Sequence, residues 1–189
     1  FRIVKCGKLI YNDFGELLFT HFGISGPLVL SASCSMNDEE YDAVIDLKPA
    51  LSEDELDKRI IRDFEKYSKR DFVNSLDDLL PKSLIKTVIS LSGIDERKKT
   101  SEITKQERRN LCALLKNFTL KITGFGKIEE AIVTAGGVSV NEINPSTMES
   151  KKISGLYFAG EVIDVSAYTG GYNLQIAYST GYTAGINMA

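Results

Sequence analysis

The sequence predicts an α+β fold, and three observations carry that prediction. Apolar residues recur at helical spacing between Ser52 and Asn117, behind two helix-start signatures. Before residue 50, short apolar segments are broken by glycine and turn residues. After Phe118 the chain becomes alternating and glycine-rich. On this reading residues 1–122 form one domain, with short antiparallel strands over 1–50 and a helical bundle over 52–117, and residues 123–189 form a second.

Taken in order, Phe1 to Cys6 and Lys8 to Tyr11 are strand-like segments around Gly7, and Gly15 to Thr20 follows the turn signal Asn12-Asp13. Ser25 is placed to cap, and Pro27 to open, a short helix reaching about Ser33. Asp42 to Leu47 reads as a strand. Ser52 with Glu55 makes a capping box, and Leu56, Ile60, Ile61, Phe64 and Tyr67 then mark one face of a helix over 53–69. Pro81 starts a second helix, carrying Leu84, Ile85, Val88 and Ile89, that Gly93 ends. Thr104 with Glu107 repeats the box for a third, with Leu111, Cys112, Leu114 and Leu115 turned inward. Phe118 to Ile122 alternates as a strand, Ala131 to Thr134 reads as a second apolar strand, and Asn144-Pro145 marks a turn.

A net charge of −3, from 23 basic and 26 acidic residues, excludes a strongly basic nucleic-acid footprint, and the basic residues of 97–109 are interleaved with acids. Three scattered cysteines, Cys6, Cys34 and Cys112, argue for reduced thiols and a cytoplasmic setting, and neither a disulfide framework nor a metal site is indicated. No apolar run has membrane-spanning length. Phe1 already looks like part of a strand, so a piece of a longer protein is expected.

The chemistry concentrates in the last third. Gly155 to Gln175 reads as strand, loop and helix start: Leu156 to Ala159 is an apolar run of buried-strand type, Gly160 ends it, Glu161 leaves it, and Gly170-Gly171 opens a helix. With Ala135-Gly136-Gly137 this makes three glycine sites. Glycine after a strand permits close backbone approach, and a helix start offers free N–H groups to an electron-rich ligand. Two strand ends and one helix start are thus expected to converge on one flat ligand. The same glycines also suit plain turns.

Three stretches carry a family likeness: Ala131-Ile132-Val133-Thr134-Ala135-Gly136-Gly137-Val138, then Ile143 to Lys151, then Gly155 to Gln175. They resemble the C-terminal portion of bacterial NAD(P)/FAD-dependent oxidoreductases of glutathione-reductase-like fold, distantly similar to the succinate dehydrogenase and fumarate reductase flavoproteins. Gly15 to Pro27 is similar to the same family's inserted domain. The resemblance implies that 1–122 is that inserted domain. It makes 123–189 the C-terminal part of an α/β, Rossmann-like FAD-binding domain. The G-x-G-x-x-G turn is absent, since Gly124-Phe125-Gly126 has Glu129 where the third glycine belongs. An N-terminal FAD domain of the same chain is therefore the expected partner.

Carried over, the resemblance sets Gly160 and Glu161 beside the ribityl and phosphate part of FAD, and Gly136 and Gly137 near the isoalloxazine ring. Gly170, Gly171, Tyr172, Asn173 and Leu174 would lie along the flavin, with helix N–H groups aimed at N1 and the C2 carbonyl. The implied activity is hydride transfer from NAD(P)H through FAD to a small organic acceptor, a conjugated C=C bond among them. No catalytic residue is assigned. His21, Tyr168 and Tyr172 are the candidates, with helix capping by Ser25 and plain packing as the competing roles. Asp164 is assigned to loop hydrogen bonding. A non-catalytic interaction module, with helices 52–117 recruiting a partner, is the alternative class. Action on RNA is a third, set aside on the acidic balance.

Overall fold

A computed structural model of the chain describes residues 1–37 and 39–188. Its fold is mixed α+β, with a small antiparallel sheet and, among the described residues, five α-helices. Contacts divide the chain into two compact units, Asp42–Lys121 and Phe1–Tyr41 with Ile122–Ala189.

The chain opens with an antiparallel hairpin of β1 (Arg2–Lys5) and β2 (Lys8–Asn12), in which Ile3 faces Tyr11. Cys6 and Gly7 both take positive φ, 48° and 78°, the two-residue turn whose twist suits a hairpin. A second, smaller hairpin pairs β3 (Leu18–Phe19) with β4 (Ile24–Ser25). Helix α1 (Pro27–Ser33) follows with Pro27 in its first turn. Ser25 lies in β4 and does not cap it. Gly26 takes the cap position without a side-chain bond.

Residues 42–121 are shaped by local signals. Strand β5 (Tyr41–Ile45) leads to α2 (Glu53–Lys66), α3 (Lys82–Ser92) and α4 (Lys105–Lys116), and β6 (Phe118–Ile122) closes the segment. Both capping boxes form. Ser52 and Thr104 accept from the amides of Glu55 and Glu107, whose carboxylates accept in return from the cap amides. Gly93, at φ 68°, terminates α3. Leu56, Ile60 and Phe64 of α2 join Phe72, Leu76, Ile85, Val88, Ile89, Leu111 and Leu115 in one buried core. The α2–α4 seam is locked by Arg108, whose Nε and Nη2 donate to the two oxygens of Asp57 at 2.6 and 3.2 Å. Helix α2 stops at Lys66, short of the expected Lys69, because Arg70 N–H turns back to the Tyr67 carbonyl.

The remainder departs furthest from expectation. Among the described residues, 123–188 contains no β-strand, only the isolated bridges Val138–Ile163, Ile143–Ser150 and Glu149–Tyr157, and ends in α5 (Tyr172–Asn187). Ala131–Thr134 is loop, with Ile132 71% exposed, and Leu156–Ala159 is loop with Leu156 exposed. An apolar run becomes a strand only when neighbours take up its backbone groups along its length. Among the described residues, Leu156 and Phe158 make two bonds to the 148–150 segment, Ser150 N–H to the Leu156 carbonyl and Phe158 N–H to the Met148 carbonyl, and Leu156 N–H turns back to the Ile153 carbonyl. The Rossmann-like sheet expected over 123–189 is thus represented here by single bridges and one helix.

Candidate functional site

The three glycine sites lie in one unit, and the structure links them in sequence. Gly136-Gly137-Val138 runs alongside the short 3-10 turn Gly160–Val162, where Val138 N–H donates to the Val162 carbonyl at 2.8 Å and Asp164 N–H to the Val138 carbonyl at 2.9 Å. Gly137 has φ 140°, and a Cβ there would run into the Val162 carbonyl oxygen. Its lack of a side chain is therefore explained by backbone meeting backbone. Asp164 bonds within the loop through its amide, a bond that does not involve the carboxylate to which loop hydrogen bonding was assigned.

The Gly160 turn in turn rests on α5. Gly160 N–H donates to Thr180 Oγ1 at 2.9 Å, and the Ala177 methyl lies close to the Gly160 backbone. Thr180 also donates back to the Ile176 carbonyl at 2.7 Å, so its hydroxyl is fixed from both sides. Glu161, beside this turn, is exposed and has no salt bridge among the described residues. Tyr157 OH reaches the Asn187 carbonyl, tying the preceding loop to the other end of α5.

The N-terminus of α5 is open. Gly171, at φ 94°, occupies the cap and has no side chain to offer, and the first turn carries no acid. Gln175 N–H returns to the Gly171 carbonyl. The amides of Tyr172, Asn173 and Leu174 are the unsatisfied donors that every helix start presents. Asn173 does not face outward with its side chain: its Oδ1 accepts from Ala167 N–H at 2.9 Å and its Nδ2 donates to the Ala167 carbonyl at 3.1 Å. That clamp holds loop 167–173 in one shape. Tyr168 and Tyr172 are exposed, and the Tyr172 ring lies against Gly170. Thr169 Oγ1 contacts the Pro27 carbonyl at 3.5 Å, which brings the glycine loop to the start of α1. Tyr11, near Tyr168, has its phenol pushed up to about 12, first by burial and then by its bond to Asp13.

His21 stands at the exposed tip of the β3–β4 hairpin, its ring edge-on to Phe22 at 4.9 Å. The tip is closed by Thr20, whose N–H donates to the Gly23 carbonyl at 2.8 Å and whose Oγ1 accepts from Gly23 N–H. Thus the structure gathers Gly136, Gly137, Gly160 and Glu161 onto one flank of α5, and Gly170 to Leu174 onto its N-terminus. Sequence reasoning missed Thr180 and the Asn173–Ala167 clamp. Nothing local marks Thr180, because its partner amide is twenty positions away. The clamp had only a weak local signal, asparagine being a residue type that bonds loop backbone.

The model of the HI0933-like protein barrel and H2TH domain matches residues 1–133. The chain belongs to this family. Among its relatives, a ribosomal RNA dihydrouridine synthase of Haemophilus influenzae is 37% identical over 184 residues, covering 97% of this chain and 44% of that protein. A 3-dehydro-bile acid delta(4,6)-reductase of Clostridium scindens is 32% identical, covering 94% of this chain and 45% of the reductase. A ribosomal RNA dihydrouridine synthase of Escherichia coli is 33% identical, over 88% and 40%. The chain thus spans less than half the length of the curated relatives it matches. The HI0933-like match covers both hairpins and all three helices of the 42–121 unit. The first relative's alignment covers nearly the whole chain and so extends beyond that match toward the glycine sites and α5.

Proposed function

We propose that this chain is part of a flavin-dependent oxidoreductase that reduces a carbon–carbon double bond conjugated to a carbonyl, with NAD(P)H as hydride source. The observation that carries the reading is the α5 terminus: a helix start with no side-chain cap, framed by glycine and held by the Asn173–Ala167 clamp. Such a terminus suits the electron-rich edge of FAD, so the residues present fit the group. When bound, FAD supplies the two-electron chemistry, taking hydride from NAD(P)H and delivering it to carbon. The chain's share is to orient and to stabilise charge. The Tyr172, Asn173 and Leu174 amides and the positive helix end would hold the pyrimidine edge, and Gly170 and Gly171 would let it approach. The Gly136–Gly137 and Gly160 turns line the flank of the site, with Glu161 available to a ribityl hydroxyl.

The relatives' names suggest the acceptor. Dihydrouridine is uridine saturated at C5–C6, a double bond conjugated to the C4 carbonyl, and a delta(4,6)-reductase of a 3-dehydro compound acts on a conjugated enone system. Reduction of such a bond by hydride would place it at the carbon remote from the carbonyl and a proton at another carbon of the conjugated chain, with charge held on oxygen between. His21, Tyr168 and Tyr172 are the chain's candidate proton sources, all exposed in this structure. The remaining polypeptide of the same protein holds the rest of FAD in this reading.

A second reading makes the acceptor a uridine base of ribosomal RNA, in place of a small molecule. The relatives' names favour it, since two of the three are ribosomal RNA dihydrouridine synthases; charge adds little, because the 42–121 unit carries a net +2 from 17 basic and 15 acidic residues. The test is to isolate the full-length protein and record its visible spectrum. It is then titrated anaerobically with NADH and NADPH, and the reduced protein is offered ribosomal RNA lacking dihydrouridine or a steroid dienone. Flavin absorption bleached by either nucleotide, and restored by one acceptor, is expected. A protein that stays colourless after incubation with FAD overturns the proposal.

A further inference from the structure

The 42–121 unit carries little net charge, so recognition on it depends on which side chains have no partner within the protein. At the end of α3 lies a cleft of about 490 Å³. Its apolar walls are Val73, Ile89 and Ile94, and its polar rim is Lys86, Ser90 and Glu96. Gly93 leaves the mouth open, since nothing stands within 4 Å of where its Cβ would be. Two segments distant in sequence build this place. Phe72 N–H donates to the Lys98 carbonyl at 2.9 Å and Val73 N–H to the Glu96 carbonyl at 3.0 Å, which holds loop 96–98 against 72–73.

Charges beside the cleft differ in their pairing. Of three consecutive cations, Lys98 is bound to Glu107 and Lys99 to Asp71, each at 2.7 Å. Arg97 is exposed and has no acid partner among the described residues, and Lys86 and Glu96 are likewise exposed and unpaired there. A free guanidinium next to a cleft with apolar walls, an ammonium donor and a carboxylate acceptor fits the chemistry of a nucleotide. The base has apolar faces and an edge of mixed donors and acceptors, and the phosphate needs a cation. Bases left unpaired in RNA are the ones free to turn out and enter such a cleft.

We propose that this cleft receives an unpaired base of RNA, with Lys86, Ser90 and Glu96 meeting the base edge and Arg97 an adjacent phosphate; the inference rests on the ribosomal RNA reading above. It adds to that reading an RNA contact in the helical unit, in place of one confined to the unit that bears the glycine sites. A free nucleotide is the poorer occupant. With an open mouth, the cleft gives a small ligand only these few contacts to offset its lost motional freedom, whereas a base in RNA arrives with the rest of the strand already held.

The experiment uses the full-length protein and transcribed ribosomal RNA in which 4-thiouridine replaces part of the uridine. Irradiation, digestion and mass spectrometry should place crosslinks on peptides that contain Val73 or residues 86–97. Lys86→Glu with Arg97→Glu should weaken RNA binding roughly tenfold or more, through loss of a base contact and a phosphate contact. Lys82→Glu with Lys105→Glu changes the charge of the unit equally, at exposed positions off the cleft, and should weaken binding less than about threefold. Ser90→Trp fills the cleft without altering charge and should also weaken binding, with urea unfolding showing that the fold is kept. Equal losses from the two double variants overturn the proposal. So does an absence of crosslinks on those peptides, or 4-thiouridine monophosphate crosslinking there as efficiently as the RNA at equal concentration. Binding by the unsubstituted protein separates the two ideas: RNA bound with no crosslink at the cleft and no effect of the cleft variants defeats the cleft alone, and no RNA binding at all defeats the RNA reading and the cleft with it.

Discussion

Between Asp42 and Lys121 one large apolar side chain, Leu91, stands exposed among the described residues, while seventeen apolar residues there are buried. In the other unit the proportion is reversed: eight apolar residues are buried and twenty large ones are exposed, among them Phe14, Phe22, Ile132, Tyr178 and Tyr182. The helical unit satisfies itself, with capped helices, a continuous core and charges paired across its seams. The glycine-bearing unit leaves most of its large apolar side chains exposed. The candidate cofactor contacts all sit in this second unit, so chemistry and unfilled surface go together.

The contrast can be broken most sharply in the core. Phe72 is fully buried and meets the Phe64 ring edge-on at 6.1 Å. Phe72→Ala should cost about 3–5 kcal/mol in urea unfolding, whereas Tyr182→Ala in residues 1–189 should change stability by less than about 0.5 kcal/mol. Equal costs would show that the two units are packed alike.

A smaller effect is expected where backbone meets backbone. Gly137→Ala forces the 136–138 loop away from Val162 and places alanine at positive φ, a strain of about 1–3 kcal/mol. Hydrogen exchange should then quicken at the Val138 and Asp164 amides and stay unchanged in α2–α4. Unaltered exchange at those two amides would show that the loop relaxes freely.

The smallest effects belong to the helix caps. Thr104→Ala should cost about 1 kcal/mol by releasing the Glu107 amide. Glu107 itself is held down to about 2, first by the Lys98 ammonium and then by the Thr104 amide and hydroxyl. Its folded value lies below the unfolded one, so the stability it contributes is fully present above the unfolded value of 4.5 and lost as pH falls toward 2. Glu107→Gln should flatten that part of the pH–stability curve, read by thermal unfolding at stepped pH. A curve unchanged by the substitution would assign the acid sensitivity to other carboxylates.

How far each region could be read in advance follows the same division. Ser52 with Glu55, Thr104 with Glu107, and Gly93 state helix boundaries within four residues of the groups they satisfy, and the helices formed there with only a frayed last turn on α2. The glycine-rich part was legible in two local features: Gly170-Gly171 does open α5, and Gly137 does lie against the Gly160 turn, while that turn meets α5 at Ala177 and Thr180, away from Gly171. It was not legible as to strand structure. Ala131–Thr134 and Leu156–Ala159 have the composition of buried strands, but composition does not supply the neighbouring backbone.

The sequence by itself determined the α+β class, the three helices of the 42–121 unit with their caps, and the helix start at Gly171, because each depends on groups only a few residues apart. Only the tertiary structure decided that Gly137 is required by the Val162 carbonyl, that Thr180 holds the Gly160 turn, and that Leu174, Tyr178, Tyr182 and Ile186 lie uncovered along one face. Those outcomes depend on which distant segments meet, and the free energy of such contacts is not contained in the spacing of residues along the chain.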